Sequence, residues 1–225
     1  MDLENKTVSA MQAEIELLMD YGVPKEHRDA AGQLVGKYAA DPIALNLFHE
    51  FYSYLPEAME DAVRILRLLA RRQGVYLLCA STLATDYLYA ASVENAVFLG
   101  PLTQGIWDDE VLDYFGFASR DDFIAGHRDP ALFPVYVPTA LDPELCLFCA
   151  VASGECHIFG CPAEVCPWCG GQLTRCNCRF SQLDQWQLDR EGQVDTLLTR
   201  LIEKGRIPYE PCQRPTYPTL DEEGE

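Results

Sequence analysis

The chain has 225 residues, 48% apolar and 23% charged, a balance that belongs to a folded globular protein and excludes fibrous and disordered classes. Its formal charge is -18, with 35 acidic side chains against 17 basic ones. A surface of that sign repels phosphate backbones, so nucleic-acid binding is disfavoured and a basic protein partner is easier to accommodate.

The N-terminus, Met1-Asp2-Leu3-Glu4-Asn5-Lys6, lacks the basic stretch, apolar run and small-residue cleavage pattern of a signal peptide. Apolar runs such as residues 75–80 fall far short of the ~20 residues that span a bilayer, so a cytoplasmic protein without a membrane segment is expected.

Val8, Met11, Ile15 and Leu18 recur at helical spacing, and Gly22 followed by Pro24 is a stop signal, which predicts a helix over 5–21. A second is expected over 25–39. Asp41-Pro42 then supplies an N-cap and a first-turn proline for a third over 43–54, whose aromatic residues are candidate core. Residues 56–73 also read as helix: Met59, Ala62, Val63, Leu66 and Leu69 form one stripe, acidic residues open it, arginines close it and Gly74 follows.

Residues 75–79 are short and apolar enough for a buried strand, and Cys79 within them reads as a small buried hydrophobe. Residues 82–98 read as a further helix ended by Gly100-Pro101. Short helices are expected over 108–115 and 119–125, the latter capped by Ser119 with Asp122 three residues on. Pro134 and Pro138 make 133–138 extended. A final helix is expected over 193–204, closed by Gly205. Beyond it Pro208, Tyr209, Pro211, Pro215, Tyr217 and Pro218 predict an extended strap and 221–225 a solvated acidic end.

Between 146 and 178 lie eight of the ten cysteines, arranged as CxxC and CxC pairs. Pairs of that kind, without a secretion signal, point to thiolate metal ligands rather than disulfides. Cys166 and Cys169, followed by Gly170 and Gly171, form a tight turn able to grip one ion, and Cys176 and Cys178 complete four thiolates. Cys146, Cys149, Cys156 and Cys161 offer a second set, with His157 able to replace Cys156. A crossed arrangement stays open, because Cys146/Cys149 and Cys166/Cys169 also match ribbon spacing, leaving Cys156 or His157 with Cys161, Cys176 and Cys178.

The CPWCGG turn followed by CxC resembles the zinc-ribbon and zinc-knuckle class over about 166–178, or 146–178 at the widest. The resemblance implies that Cys166, Cys169, Cys176 and Cys178 are zinc ligands in a structural or interaction module; the CxC pair departs from the usual second CxxC. Two zinc ions are expected, and each all-thiolate site would deepen the negative charge by two.

All-thiolate sites are closed, so the metal reads as structural rather than catalytic. HExxH is absent, as His49-Glu50-Phe51-Tyr52-Ser53 shows, and so are the deaminase signature, a P-loop and ferredoxin cysteine spacings. The isolated His27, His49 and His127 read as surface or core residues.

The fold expectation is α+β: a mainly helical region over 1–140 with a few short strands, then a zinc-ribbon-like segment, a closing helix and a Pro-rich acidic tail over 141–225. The functional expectation is a non-enzymatic zinc protein that binds another protein through its acidic surface, an antitoxin or immunity protein being one concrete form. Two alternatives are an enzyme using groups such as Asp86, Glu94, His127 or Asp129, and a nucleic-acid-binding ribbon resting on Arg175, Arg179 and the basic residues of 200–206.

Overall fold

A computed structural model describes residues 2–54, 61–185, 187 and 190–213. The chain divides into two compact units, Met1–Asp142 and Pro143–Glu225. Both mix short regular elements with buried apolar clusters, and the fold as a whole is α+β.

The first unit opens with α1 (Asp2–Gly22), α2 (Lys25–Lys37) and α3 (Pro42–Ser53), as the periodicity predicts. Asp41 caps α3, its carboxylate accepting the Ala44 N–H at 2.9 Å, and Pro42 occupies the first turn, where its missing N–H costs nothing. The same carboxylate is fully buried and accepts the Tyr136 hydroxyl at 3.1 and 3.2 Å and the Thr139 N–H at 2.6 Å. One acidic side chain therefore fastens a segment almost a hundred residues away to the start of α3.

Four strands follow: β1 (Ile65–Arg72), β2 (Val75–Ser81), β3 (Asp86–Ala91) and β4 (Ala96–Pro101), in an antiparallel sheet of order β1-β2-β3-β4. The strand expected over 75–79 is present. The helix expected over 56–73 is not: residues 65–72 are β1, and 55–60 lie outside the described residues. Gly74 ends no helix. Gln73 and Gly74 have φ of 48° and 78° and form the two-residue loop of a hairpin in which Arg72 pairs with Val75.

The helix expected over 82–98 is also corrected, to β3 and β4. Two similar turns replace it. Thr82 Oγ1 accepts the N–H groups of Ala84 and Thr85, and Ser92 Oγ accepts those of Glu94 and Asn95, so a hydroxyl at the first position closes each connection.

Both faces of the sheet are covered at β2, whose residues 76–80 are all buried, while Val97 and Phe98 of β4 are about half exposed; a strand buried on both faces reads as a continuous apolar run rather than an alternating one. On one face Tyr76, Leu78, Ala80, Tyr87 and Tyr89 stand together by register, with Phe51 of α3 6.0 Å from the Tyr87 ring. On the other, Leu77, Cys79 and Leu88 join Leu102, Ile106, Leu112 and Phe123. The last two come from α4 (Asp109–Phe115) and α5 (Arg120–Gly126), the first capped by Asp108 and the second, as expected, by Ser119. Residues 133–138 are extended, and Val135 bridges Arg67 along the outer edge of β1.

The second unit contains α6 (Cys178–Leu183) and α7 (Glu191–Lys204), the latter closed by Gly205. The rest of its described backbone is loops organised around cysteines. Residues 206–213 lie against this unit, Tyr209 being buried. The expected continuation of the strap through Pro215, Tyr217 and Pro218, and the acidic end, lie outside the described residues.

Candidate metal centres

The two CxxC segments fold into the same turn, twenty residues apart. In the first, the Cys146 N–H donates to Val151 O at 2.9 Å, the Ala150 N–H returns to Cys146 O at 2.8 Å, and Leu145 bridges Ala152. In the second, Cys166 N–H donates to Gly171 O at 2.7 Å, Gly170 N–H returns to Cys166 O at 2.8 Å, and Val165 bridges Gln172. The residue after each second cysteine is left-handed: Gly170 at φ 75° and Ala150 at φ 55°. Glycine takes that conformation freely, whereas alanine there costs roughly 1–2 kcal/mol, so the first turn holds a strained residue in place.

These turns aim backbone N–H groups at sulfur. Cys146 Sγ receives the Cys149 N–H, Cys166 Sγ those of Trp168 and Cys169, Cys169 Sγ that of Gly171, and Cys161 Sγ that of Ala163. Each such bond favours a thiolate over a thiol.

Cys146, Cys149, His157 and Cys161 form the first candidate centre, their ligand atoms all within 4.8 Å of one another and every residue buried. Cys146 Sγ is 3.8 Å from Cys161 Sγ, and Cys149 Sγ is 3.3 Å from His157 Nδ1. Cys156 is half-buried and is not part of the group, so at this position the structure gathers the histidine. Hydrogen bonds from the Cys149 and Cys161 thiols pull Cys146 well below the usual thiol range, while the same contacts push Cys161 up. Burial lowers His157, but its contacts with Cys146 and Cys149 outweigh that and raise it to about 9. A set of donors contesting protons in this way can exchange them for a cation.

Cys166, Cys169, Cys176 and Cys178 form the second candidate centre under the same distance criterion. Cys166 is buried, Cys176 and Cys178 half-buried and Cys169 exposed. Burial lifts Cys166 to about 11 and Cys178 further. Burial opposes ionisation of Cys169 too, yet the Gly171 N–H and its neighbouring thiols bring it below the usual value. Cys166 packs with Leu173, Leu197 and Leu201, so α7 rests on this centre. Each candidate cluster is therefore local in sequence, and among the described residues the crossed sets are not gathered.

The surroundings of the first centre were not legible from cysteine spacing. Glu164, 1% exposed, pairs with Arg206 at 2.7 Å, and Arg206 also donates to the His157 carbonyl. Burial keeps the Glu164 carboxyl above the usual carboxylate range, with Arg206 pulling the other way. Tyr209 donates its hydroxyl to Leu145 O at 3.0 Å and its N–H to Glu155 O at 2.8 Å, and its ring lies edge-on to His157 at 5.2 Å. Prolines around Tyr209 announced a strap; nothing announced its target.

The groups considered for catalysis stand in different parts of the first unit. His127 lies between the rings of Phe123 and Phe133, 4.2 and 4.8 Å away, with Nδ1 against Phe123 O at 2.8 Å. Asp129 caps a short 3-10 turn, Glu94 is exposed in the β3–β4 turn and Asp86 begins β3. His49 makes a surface contact with Glu14 at 3.4 Å. Cys79 is fully buried in the core, and burial raises its thiol to about 12. Of the basic residues near the cysteines, Arg206 is committed to Glu164 and Arg179 lies over the Phe180 ring at 4.7 Å.

Comparison of the chain with protein-family models, with curated proteins and with solved structures finds no match.

Proposed function

We propose that the protein carries two structural zinc ions in its C-terminal unit, and that this unit is an interaction module which binds another protein. The observation that carries the reading is the presence of two separate four-donor sets, each with its ligand atoms gathered within 4.8 Å. Two sulfurs on a tetrahedral zinc with bonds of ~2.3 Å stand about 3.8 Å apart. The Cys146 to Cys161 separation of 3.8 Å fits that edge.

Cys146, Cys149, His157 and Cys161 would hold one ion, and Cys166, Cys169, Cys176 and Cys178 the other. Four protein donors leave no position for substrate or water, which is the composition of structural sites. Bound zinc supplies cross-linking free energy to loops that have little apolar core of their own. The chain's own residues supply the rest: N–H groups that favour thiolates, a buried ion pair behind His157, and α7 packed on the second set. An acidic chain of charge -18, with thiolate sites that add to it, favours a partner with basic surface.

Native mass spectrometry of the full chain is expected to find two zinc ions, and one in each of His157→Ala and Cys176→Ser. A wild-type chain without stoichiometric zinc ends the metal reading. For the partner, capture on immobilised protein should weaken as salt rises; a chain that binds no protein at low salt removes the interaction reading.

A further inference from the structure

His157 and Glu164 each hold one buried polar atom that nothing answers. His157 is 2% exposed and turns Nδ1 towards Cys149 Sγ at 3.3 Å, inside the first donor set, while its other ring nitrogen, Nε2, is buried without a hydrogen-bond partner. Glu164 is 1% exposed, and its Oε2 is buried and unpartnered too. Folded proteins rarely leave such atoms bare, because each forfeits its hydration for nothing.

Arg206 shows why the carboxylate has an oxygen to spare. An arginine fork that meets a carboxylate squarely takes both oxygens, one to each nitrogen. Here Arg206 Nε and Nη2 both approach Oε1, at 2.8 and 2.7 Å, and Oε2 is left over. The same Nη2 donates to the His157 carbonyl, so one guanidinium nitrogen holds the histidine backbone and the glutamate side chain next to each other. Charge on His157 also acts on the Glu164 carboxyl, which brings the two side chains within electrostatic reach. Among the described residues, no other buried acceptor without a partner shares Arg206 with His157.

A histidine that offers one ring nitrogen to a cation carries its proton on the other. Donating that N–H to a carboxylate fixes the tautomer and the ring orientation and makes the free nitrogen a stronger donor. We propose that Glu164 is the positioning residue of His157: its Oε2 accepts the Nε2–H, across one intervening water or after a small turn of the carboxyl, and so presents Nδ1 to the first centre. Arg206 in turn holds Glu164 through Oε1. The inference rests on the reading of this unit as zinc-bound, and adds to it the place of the ring proton and the group that takes it.

The test is NMR of the zinc-loaded full chain with its histidines isotopically labelled at nitrogen, which reads the proton on each ring nitrogen directly. The wild-type His157 ring should carry its proton on Nε2, as a downfield signal that exchanges slowly with water. In Glu164→Gln a single amide oxygen cannot serve both Arg206 and His157, so that signal should move upfield or be lost to exchange. Competition with a chelator should find the first centre of that variant about tenfold weaker, with the second unchanged. Adding Arg206→Met to Glu164→Gln releases the amide oxygen and should restore the signal, which a purely structural loss would not do. A wild-type ring proton on Nδ1, or an Nε2–H with the same shift and exchange in wild type and Glu164→Gln, overturns the inference and leaves the structural-zinc reading standing. Absence of zinc from the wild-type chain overturns both.

Discussion

Replacing Arg206 with Met should destabilise the second unit far more than loss of one surface ion pair would. The Glu164 side chain is 2% exposed and its Oε1 lies 2.7–2.8 Å from two Arg206 nitrogens, so truncation strands a buried carboxylate. Breaking a buried pair from one side costs about 3–5 kcal/mol. Arg206→Met also forfeits the bond to the His157 carbonyl. The reverse change, Glu164→Gln, should cost less, because the Arg206 side chain is 16% exposed and can turn towards water. The double variant should recover most of the loss, since Gln at 164 needs no cation.

Native-state hydrogen exchange at the Gly154 and Tyr209 amides, which donate to Tyr209 O and Glu155 O, reads the effect locally. In zinc-saturated Arg206→Met the protection there should fall by more than about a hundredfold, the equivalent of roughly 3 kcal/mol. The sign with pH follows from Glu164, whose carboxyl is already raised by burial and rises further without Arg206. In acid both folded and unfolded chains hold the proton and the penalty is small; it grows as pH climbs through the range above ordinary carboxylates, where only the unfolded chain ionises freely. A double variant as unprotected as Arg206→Met alone would refute this account, as would a loss under about 1 kcal/mol.

In the first unit, Tyr136→Phe removes the hydroxyl that both Asp41 oxygens share and should lower stability by about 2 kcal/mol in urea unfolding; an unchanged midpoint would show that Asp41 is satisfied without it. Burial raises Tyr38 to about 12 and Tyr52, Tyr76, Tyr89 and Tyr136 above it, from an ordinary 10. These phenols stay protonated in the fold while unfolded ones ionise above pH 10, so stability should fall as pH rises past that value, with the tyrosinate absorbance of these five residues appearing only on unfolding. Chelator should remove metal in two phases, the faster from the second centre, where Cys169 is exposed, and Cys169→Ser should eliminate that phase; a single phase in wild type would count against unequal centres. Alkylation of the native chain at pH 8 should label the exposed Cys212 and spare the buried Cys79.

The sequence carried its helix starts openly, because caps are chemistry of single residues. Asp41-Pro42, Asp108 and Ser119 with Asp122 each satisfy N–H groups that any helix start leaves bare. Strands β1, β3 and β4 were concealed for a physical reason: none of them buries every second residue, so the alternation that marks a half-buried strand is absent. Leu66 and Leu69 then satisfy helical spacing equally well, although β1 is irregular between Leu68 and Ala70, and arginines that suit a helix end also suit a hairpin. Gly74 is likewise compatible with a helix C-terminus and a two-residue turn, and the sequence alone does not weigh Gln73 in a left-handed conformation. Thr82 and Ser92, each ahead of a turn closed by its own hydroxyl, were the available clue.

At the candidate centres the cysteine spacing disclosed the two CxxC turns and the four cysteines of the second candidate cluster. It favoured Cys156 with His157 as the substitute, and the structure gathers His157 instead; adjacent residues reach the same point by different side-chain lengths, and the bonds of residues 154–157 to the strap bear on which one is turned inward. Glu164, Arg206 and Tyr209 contact the loop through carbonyls and ring faces, and such contacts leave no spacing to read.

The local arrangement of the two candidate donor sets has a bearing on how the chain acquires its shape. The last donor of the first set, Cys161, precedes the first donor of the second, Cys166, so neither loop threads the other. Closing each set joins residues close in sequence, at a modest loop-closure entropy. Each can therefore assemble without waiting for the other, the first while later residues are still being synthesised. Arg206 and Tyr209 lie beyond both sets in sequence, so the strap can join the first loop only once the residues of both have been synthesised.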